Sequence, residues 1–292
     1  MSPLIVGGRT IFGALSSQPT GITTTAGSEY YDTTQNKEYL YNGTGWFAKT
    51  TEAPFNGDEA THWWKSEGIT SATTWTAERG GYNFTAGGSG TLTVNTSDGS
   101  FNNQQTIGQS GVDQYRYMLA DSGSNGTFWN ASQAWSVIVV FEKTTHIGGT
   151  WGDSLFNQQW NGQPDGSWSI DIEGDHTWGG SYGEVVGNTT PPGSYPQRGI
   201  MCVRMSASGS SGELSYWPDG ATSWTQLSTW SGLPSGISNS YDALGLFNFE
   251  GATHTGHRFN GKYAEVAYFK DLRISDSTRN EWKNYLVEKF AF

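Results

Sequence analysis

Eleven residues, Gln133 to Lys143 (QAWSVIVVFEK), bring together more β-branched and aromatic side chains than any other stretch of the chain, with no turn residue among them. Side chains of this kind pack well on a pleated surface, and the run reads as a central β-strand. Alternation places Trp135, Val137, Val139 and Phe141 on one face and Ala134, Ser136, Ile138 and Val140 on the other. The first face belongs to a core. The second is apolar enough to need cover, from the N-terminal segment, a C-terminal helix or a neighbouring subunit. The run is about half as long as a membrane-spanning helix, and Glu142 and Lys143 close it, so membrane insertion is not expected.

With 292 residues, the chain suits one large β domain, or one domain with a small addition. Its 40 glycines, 14% aromatic residues and only 15% charged residues imply short strands joined by polar loops. They argue against disorder, since disordered segments lack aromatics and carry dense charge. A net charge of −11 would repel a phosphate backbone, so nucleic acid is not expected as a partner. Cys202 is the single cysteine and sits within IMCVRM, which reads as a buried thiol and leaves no intrachain disulfide. Stability must come from packing.

Residues 1–52 read as a separate segment. Small apolar clusters in MSPLIVGGRTIFGALSS are broken by Pro3, two glycines and Arg9, so no signal peptide is expected. Leu4, Ile5, Val6, Ile11, Phe12 and Leu15 are too few and too Gly-interrupted to make a core, and they read as a docking surface. From Gly27 to Trp46, two or three short strands alternate with turns at Asp32 to Asn36 and Asn42 to Gly45, the second carrying an Asn-Gly hairpin signal. A meander this small is marginal alone. Its Tyr31-Asp32-Thr33-Thr34, Asn36 and Tyr41-Asn42-Gly43-Thr44 resemble a short module of bacteriophage tail and fibre proteins. That resemblance implies a virion protein on tail or capsid, assembled in the bacterial cytoplasm and joined to other virion proteins through its N-terminal segment.

Thr51 to Asp58 (TEAPFNGD) reads as a linker, with the main domain spanning residues 53–292. Strands are expected at Thr91 to Asn95, Ala134 to Glu142, Trp168 to Glu173, Ile200 to Met205, Leu214 to Trp217, Leu244 to Phe249 and Tyr263 to Lys270. One helix is expected, capped by Ser275 or Asp276, with Trp282, Tyr285, Leu286, Lys289 and Phe290 recurring at spacings of three and four. Many short strands without intervening helices predict an all-β chain folded as a two-sheet antiparallel sandwich. The order of WWKSEGIT, SVIVVFE, GKYAEVAYF and ISDSTRNEWKNYLVEKF resembles the concanavalin A-like (laminin G-like) jelly-roll domains of phage structural proteins. This resemblance implies a fold and does not deliver an activity.

Some glucanases of that fold set three acids at alternate positions of one strand, with neighbouring carboxylates about 6–7 Å apart. Asp171-Ile172-Glu173-Gly174-Asp175 has the spacing, but in the order Asp, Glu, Asp where the glucanase order is Glu, Asp, Glu, and Gly174 tends to end the strand. No catalytic residue is therefore assigned, and the chain reads as non-enzymatic. The alternatives are a glycan depolymerase using Asp171 and Glu173, a soluble lectin and a purely architectural capsid decoration protein. His146, His176, His254 and His257 are scattered, and the loop acids Asp153, Asp165 and Asp219 lack the ligand density of a Ca²⁺ site. Neither metal nor cofactor is expected.

Between Thr150 and Gly183, Trp151, Trp160, Trp168, Trp178 and Tyr182 stand among Asp, Asn, Gln and Gly. Flat apolar rings beside amides and carboxylates suit both glycans and protein partners. Trp151, Asp153, Trp160, Asp165, Trp178 and Tyr182 are accordingly the candidate residues for binding host-surface glycan or a partner. A homo-oligomer, a trimer first, is expected because the meander and the outer face of Gln133 to Lys143 both lack cover and because weak sites gain by repetition.

Overall fold

The computed structural model describes residues 4–6, 9–15, 28–32, 37–41, 46–48, 59–109, 115–121, 128, 133–145, 153–159, 168–172, 195–207, 211–231, 243–247 and 259–292. The chain divides into two compact units, 1–56 and 57–292.

The first unit is one five-stranded sheet. Leu4–Val6 pairs antiparallel with Arg9–Leu15, placing Leu4 opposite Ile11. Arg9–Leu15 then runs parallel to Glu29–Asp32, with Leu15 opposite Asp32. Glu29–Asp32, Lys37–Tyr41 and Trp46–Ala48 form the antiparallel meander. Its described contacts are local: Tyr30 stacks on Tyr39 at 4.9 Å, and Tyr41 N donates to Ser28 O. The proposed docking residues Leu4, Ile5, Val6, Ile11, Phe12 and Leu15 thus all belong to the first two strands.

The second unit is a sandwich of two antiparallel sheets, the class expected from the sequence. The first sheet runs Thr93–Asp98, Gln104–Gln109, Gly261–Lys270, Trp135–Lys143, Gln197–Met205, Ser211–Pro218, Thr225–Ser231, with His62–Trp64 added against Gly261–Lys270. The second runs Trp168–Ile172, Asp153–Gln159, Ala243–Leu246, Tyr115–Asp121, Phe84–Ser89, Thr74–Trp75, Ile69–Ser71. Trp135–Lys143 is central, paired along its whole length on both sides, and buried at every position. Trp135, Val137, Val139 and Phe141 join the core, as alternation requires. Two tyrosines of Gly261–Lys270 tie the interior together. Tyr263 Oη donates to Leu155 O at 2.7 Å, and Tyr268 Oη donates to Phe128 O at 2.6 Å. Cys202 is buried, and desolvation pushes its thiol up to about 12.

The outer face of the central strand is covered by the chain's own helix, Asp276–Phe290. Ser275 caps it, its Oγ accepting from Thr278 N at 3.0 Å, while Arg204 and Arg279 hold Asp276 at 2.7 and 3.0 Å. Trp282, Leu286 and Phe290 form the buried stripe. Trp282 packs edge-on against Phe269 at 5.4 Å and Trp63 at 5.2 Å, and Phe290 packs against Phe101 at 5.9 Å. Ser136, on the covered face, accepts from Ile274 N and donates to Leu272 O, both at 3.1 Å. One of the three grounds for expecting a homo-oligomer is thereby removed, since this face needs no neighbouring subunit.

Beneath the helix lies a charge cluster that hydrophobic periodicity cannot reveal. Glu265 is 1% exposed and accepts from Trp63 Nε1 at 2.8 Å and from Lys289 Nζ at 2.7 Å, while Lys289 also reaches Glu67 at 2.8 Å. Burial would pull the Lys289 ammonium down, but Glu265 and Glu67 outweigh it and hold it above the ordinary lysine value.

Residues 57–292 contain both sheets, the helix and the core, so this portion expressed alone is expected to fold with an unchanged melting temperature. Circular dichroism melts of the full chain and of 57–292 test this, and a molten or aggregated fragment would refute it.

Candidate functional site

Of the stretch expected to carry recognition, two strands at one edge of the second sheet are described. Asp153–Gln159 and Trp168–Ile172 pair there, with Asp153 opposite Ile172, Ser154 opposite Asp171 and Gln158 opposite Trp168. Leu155 and Phe156 anchor the pair in the core, and Asn157, opposite both Ser169 and Gly245, is fully buried. The strand expected to reach Glu173 is described as far as Ile172. Glu173, Trp151, Trp160, Asp165, Trp178 and Tyr182 lie outside the described residues, as do His146, His176, His254 and His257. Among the described residues, no three His, Cys, Asp or Glu side chains gather as a metal site would require, and no helix is long and apolar enough to cross a membrane.

A pocket of about 400 Å³ opens beside one end of the first sheet, lined by Ser100, Glu142, Pro196, Gln197, Arg198, Tyr216, Pro218 and Asp219. The alternation that sends Phe141 into the core turns Glu142 to the other face, directly opposite Arg198 on the next strand. Beyond Arg198, Ser211–Pro218 ends in the turn Pro218-Asp219-Gly220-Ala221. Ala221 N closes it on Pro218 O at 3.1 Å, and Gly220 takes φ +73°, a conformation suited to glycine. That turn sets Asp219 beside Arg198: Asp219 N donates to Arg198 O at 2.9 Å, and the guanidinium donates to the Asp219 carboxylate. Arg198 also donates to Ser100 O. Tyr216 Oη donates to Arg198 O at 2.8 Å, and burial raises its phenol well above the ordinary value.

The remaining wall is the 3₁₀ turn Gly99–Phe101, capped by Asp98, which accepts from Ser100 N at 3.0 Å. The other Asp98 oxygen accepts from Thr106 Oγ1 and Lys262 Nζ, both at 2.9 Å, and Lys262 continues to Glu142 Oε1 at 3.1 Å. Burial would raise the Asp98 carboxyl, but the bonds from Lys262, Thr106 and Ser100 N–H outweigh it and hold it below the usual range. Lys262 is desolvated too, and Asp98 with Glu142 holds its ammonium above the ordinary value. Among the described residues, both acids of the pocket are therefore paired with a cation through one oxygen.

The sequence alone does not bring this pocket together. Glu142 reads as the close of a strand and Asp219 as an isolated loop acid; the register that sets Glu142 opposite Arg198 is a non-local fact. Only the Pro218-Asp219-Gly220 turn carries a local signal.

No protein-family model and no curated protein matches the chain. Solved structures do. An arabinofuranosidase complexed with arabinofuranosyl-alpha-1,2-xylobiose is similar at TM-score 0.51 and 12% identity. A GH54 α-L-arabinofuranosidase soaked with a cyclic sulfate inhibitor is similar at TM-score 0.52 and 13% identity. Each similarity covers 88% of this chain and 57% of the other, so the chain spans just over half the length of these neighbours. Likeness at this identity establishes the β-sandwich fold. The expectation of a non-enzymatic chain is corrected by this comparison: the two neighbours named here are arabinofuranosidases.

Proposed function

We propose that the sandwich engages a polysaccharide of a bacterial cell surface and that the protein is carried on a virus particle, docked there through residues 1–56. The carrying observation is the edge pair Asp153–Gln159 and Trp168–Ile172, two strands within the Trp-rich sequence from Trp151 to Tyr182, in a fold that the chain shares with arabinofuranosidases among others. Sugars present flat C–H faces and a rim of hydroxyls, and this stretch supplies aromatic rings next to amides and carboxylates. The resemblance of residues 27–46 to a module of phage tail and fibre proteins, with the strands there belonging to a sheet of their own, supports the docking assignment.

Hydrolysis is a second reading, favoured by those neighbours and by Asp171 in the edge strand, with Glu173 two residues on. Two carboxylates at that spacing supply an acid and a base or nucleophile. The test is to incubate the full chain with host capsular or wall polysaccharide, measuring retention on the polymer and release of reducing ends. Retention lost in Trp160→Ala supports recognition, and reducing ends lost in Glu173→Gln support hydrolysis. Absence of both retention and cleavage on the polysaccharide of a susceptible host overturns the glycan reading. Virions made without residues 1–56 should lack the protein, and normal incorporation would overturn the docking assignment.

A further inference from the structure

We propose that the pocket between Glu142 and Asp219 is a second site, lined by residues other than the Trp151–Tyr182 stretch, and that it binds one neutral sugar residue. Its charges select the ligand class. Glu142 pairs with Lys262 and Asp219 with Arg198, so the lining carries no uncompensated cation to attract a phosphate or sulfate. The same cations repel a metal ion from the carboxylates. What stays uncommitted is acceptor capacity: among the described residues, Glu142 bonds through Oε1 and Asp219 through Oδ2, leaving Glu142 Oε2 and Asp219 Oδ1 without a hydrogen-bond donor. Glu142 is 7% exposed, and a carboxylate oxygen at such a site gains by meeting an O–H.

The shape agrees. Pro196 and Pro218 bring apolar rings to a rim that is otherwise polar, the combination a pyranose or furanose presents in reverse. A volume of about 400 Å³ lies at the small end of ligand pockets, which suits one residue of a chain rather than an extended oligomer. The walls are held in place. Arg198 is fixed by Asp219 and Ser100 O and lies over Phe292 and Phe101 at 5.5 and 5.9 Å, while Lys262 is fixed by Asp98. Little ordering is left for the ligand to impose.

Saturation-transfer NMR on the full chain tests the site, using methyl glycosides of neutral hexoses and pentoses with glucuronate as the anionic control. At least one neutral glycoside is expected to show transfer that Asp219→Asn and Glu142→Gln each weaken about tenfold or more, the loss of one hydrogen bond to a charged acceptor. Glucuronate should bind more weakly than its neutral counterpart. Asp219 is 36% exposed at its side chain, so its variant keeps the fold and decides the matter even if Glu142→Gln unfolds. Transfer from no neutral glycoside overturns the proposal. So does transfer that survives Asp219→Asn but vanishes in Trp160→Ala, a result that would leave the glycan reading of the Trp-rich stretch intact.

Discussion

Replacing Trp282 by Ala is expected to destabilise the sandwich by about 3–5 kcal/mol, lowering its melting temperature by about 6–20 °C. The indole has no exposed surface and sits edge-on between Phe269 of the first sheet and Trp63 of His62–Trp64. Truncation removes these contacts and a third, to Tyr285 at 6.2 Å, and leaves a void that Trp63 cannot fill by rotation, because it is held through its Nε1 to Glu265. Trp282→Phe retains an edge contact and should lose much less. Guanidinium melts of the three proteins measure the difference. A loss below about 0.5 kcal/mol in the Ala variant, the range of surface sites, would mean that the helix contributes nothing to the fold.

The parts of this fold legible in the sequence are those whose signal is local. Trp135–Lys143 announces itself because nine consecutive strand residues are buried on both faces and Ser136 is the one polar side chain before Glu142. The helix is legible because Ser275, Trp282, Leu286 and Phe290 fall at a cap and at helical spacing. Strands with weak local signals escape. Phe84–Ser89 (FTAGGS) and Thr225–Ser231 (TQLSTWS) lack a continuous branched run, and their strand state comes from the ladders beside them, with Tyr115–Asp121 and Ser211–Pro218. Gly87 shows how this works. A Cβ there would meet the Tyr117 ring at 2.3 Å, so the residue that weakens the strand signal is the one that lets Tyr117 lie across the pair. The pocket is invisible for the same reason: Glu142, Arg198 and Asp219 meet only through register. The sequence reading of the outer face is correct about its apolarity, and the structure selects the helix from the three covers it allowed.

Lys289 poses the sharper case, because spacing places it on the buried stripe while its charge argues against burial. The structure resolves this with Glu265, and the pair predicts a double-mutant cycle. Lys289→Met leaves the Glu265 carboxylate buried without its cation, with Trp63 Nε1 and the Tyr285 hydroxyl still bonded to it, and it should cost about 3–5 kcal/mol. Glu265→Gln should cost less, because Lys289 keeps its bond to Glu67, whose side chain is 62% exposed. Combining the two changes should recover most of the loss, since no uncompensated charge then remains under the helix. The pH dependence has a definite sign. Lys289 is raised above 10.5 in the folded state, so its contribution is complete below that value and is lost as pH climbs through the higher folded value. Glu265 is raised above 4.5 by burial, against the pull of Lys289, and removing Lys289 raises it further. The deficit of Lys289→Met relative to wild type should therefore shrink as pH falls from neutrality through the raised folded value of Glu265, where the carboxylate takes up a proton in the fold before it would in the unfolded chain. Urea titrations of the four proteins across acid and neutral pH measure both effects. Additive losses in the cycle, with a deficit that does not change with pH, would show that Lys289 acts under this helix as packing and that its charge pairing with Glu265 is incidental.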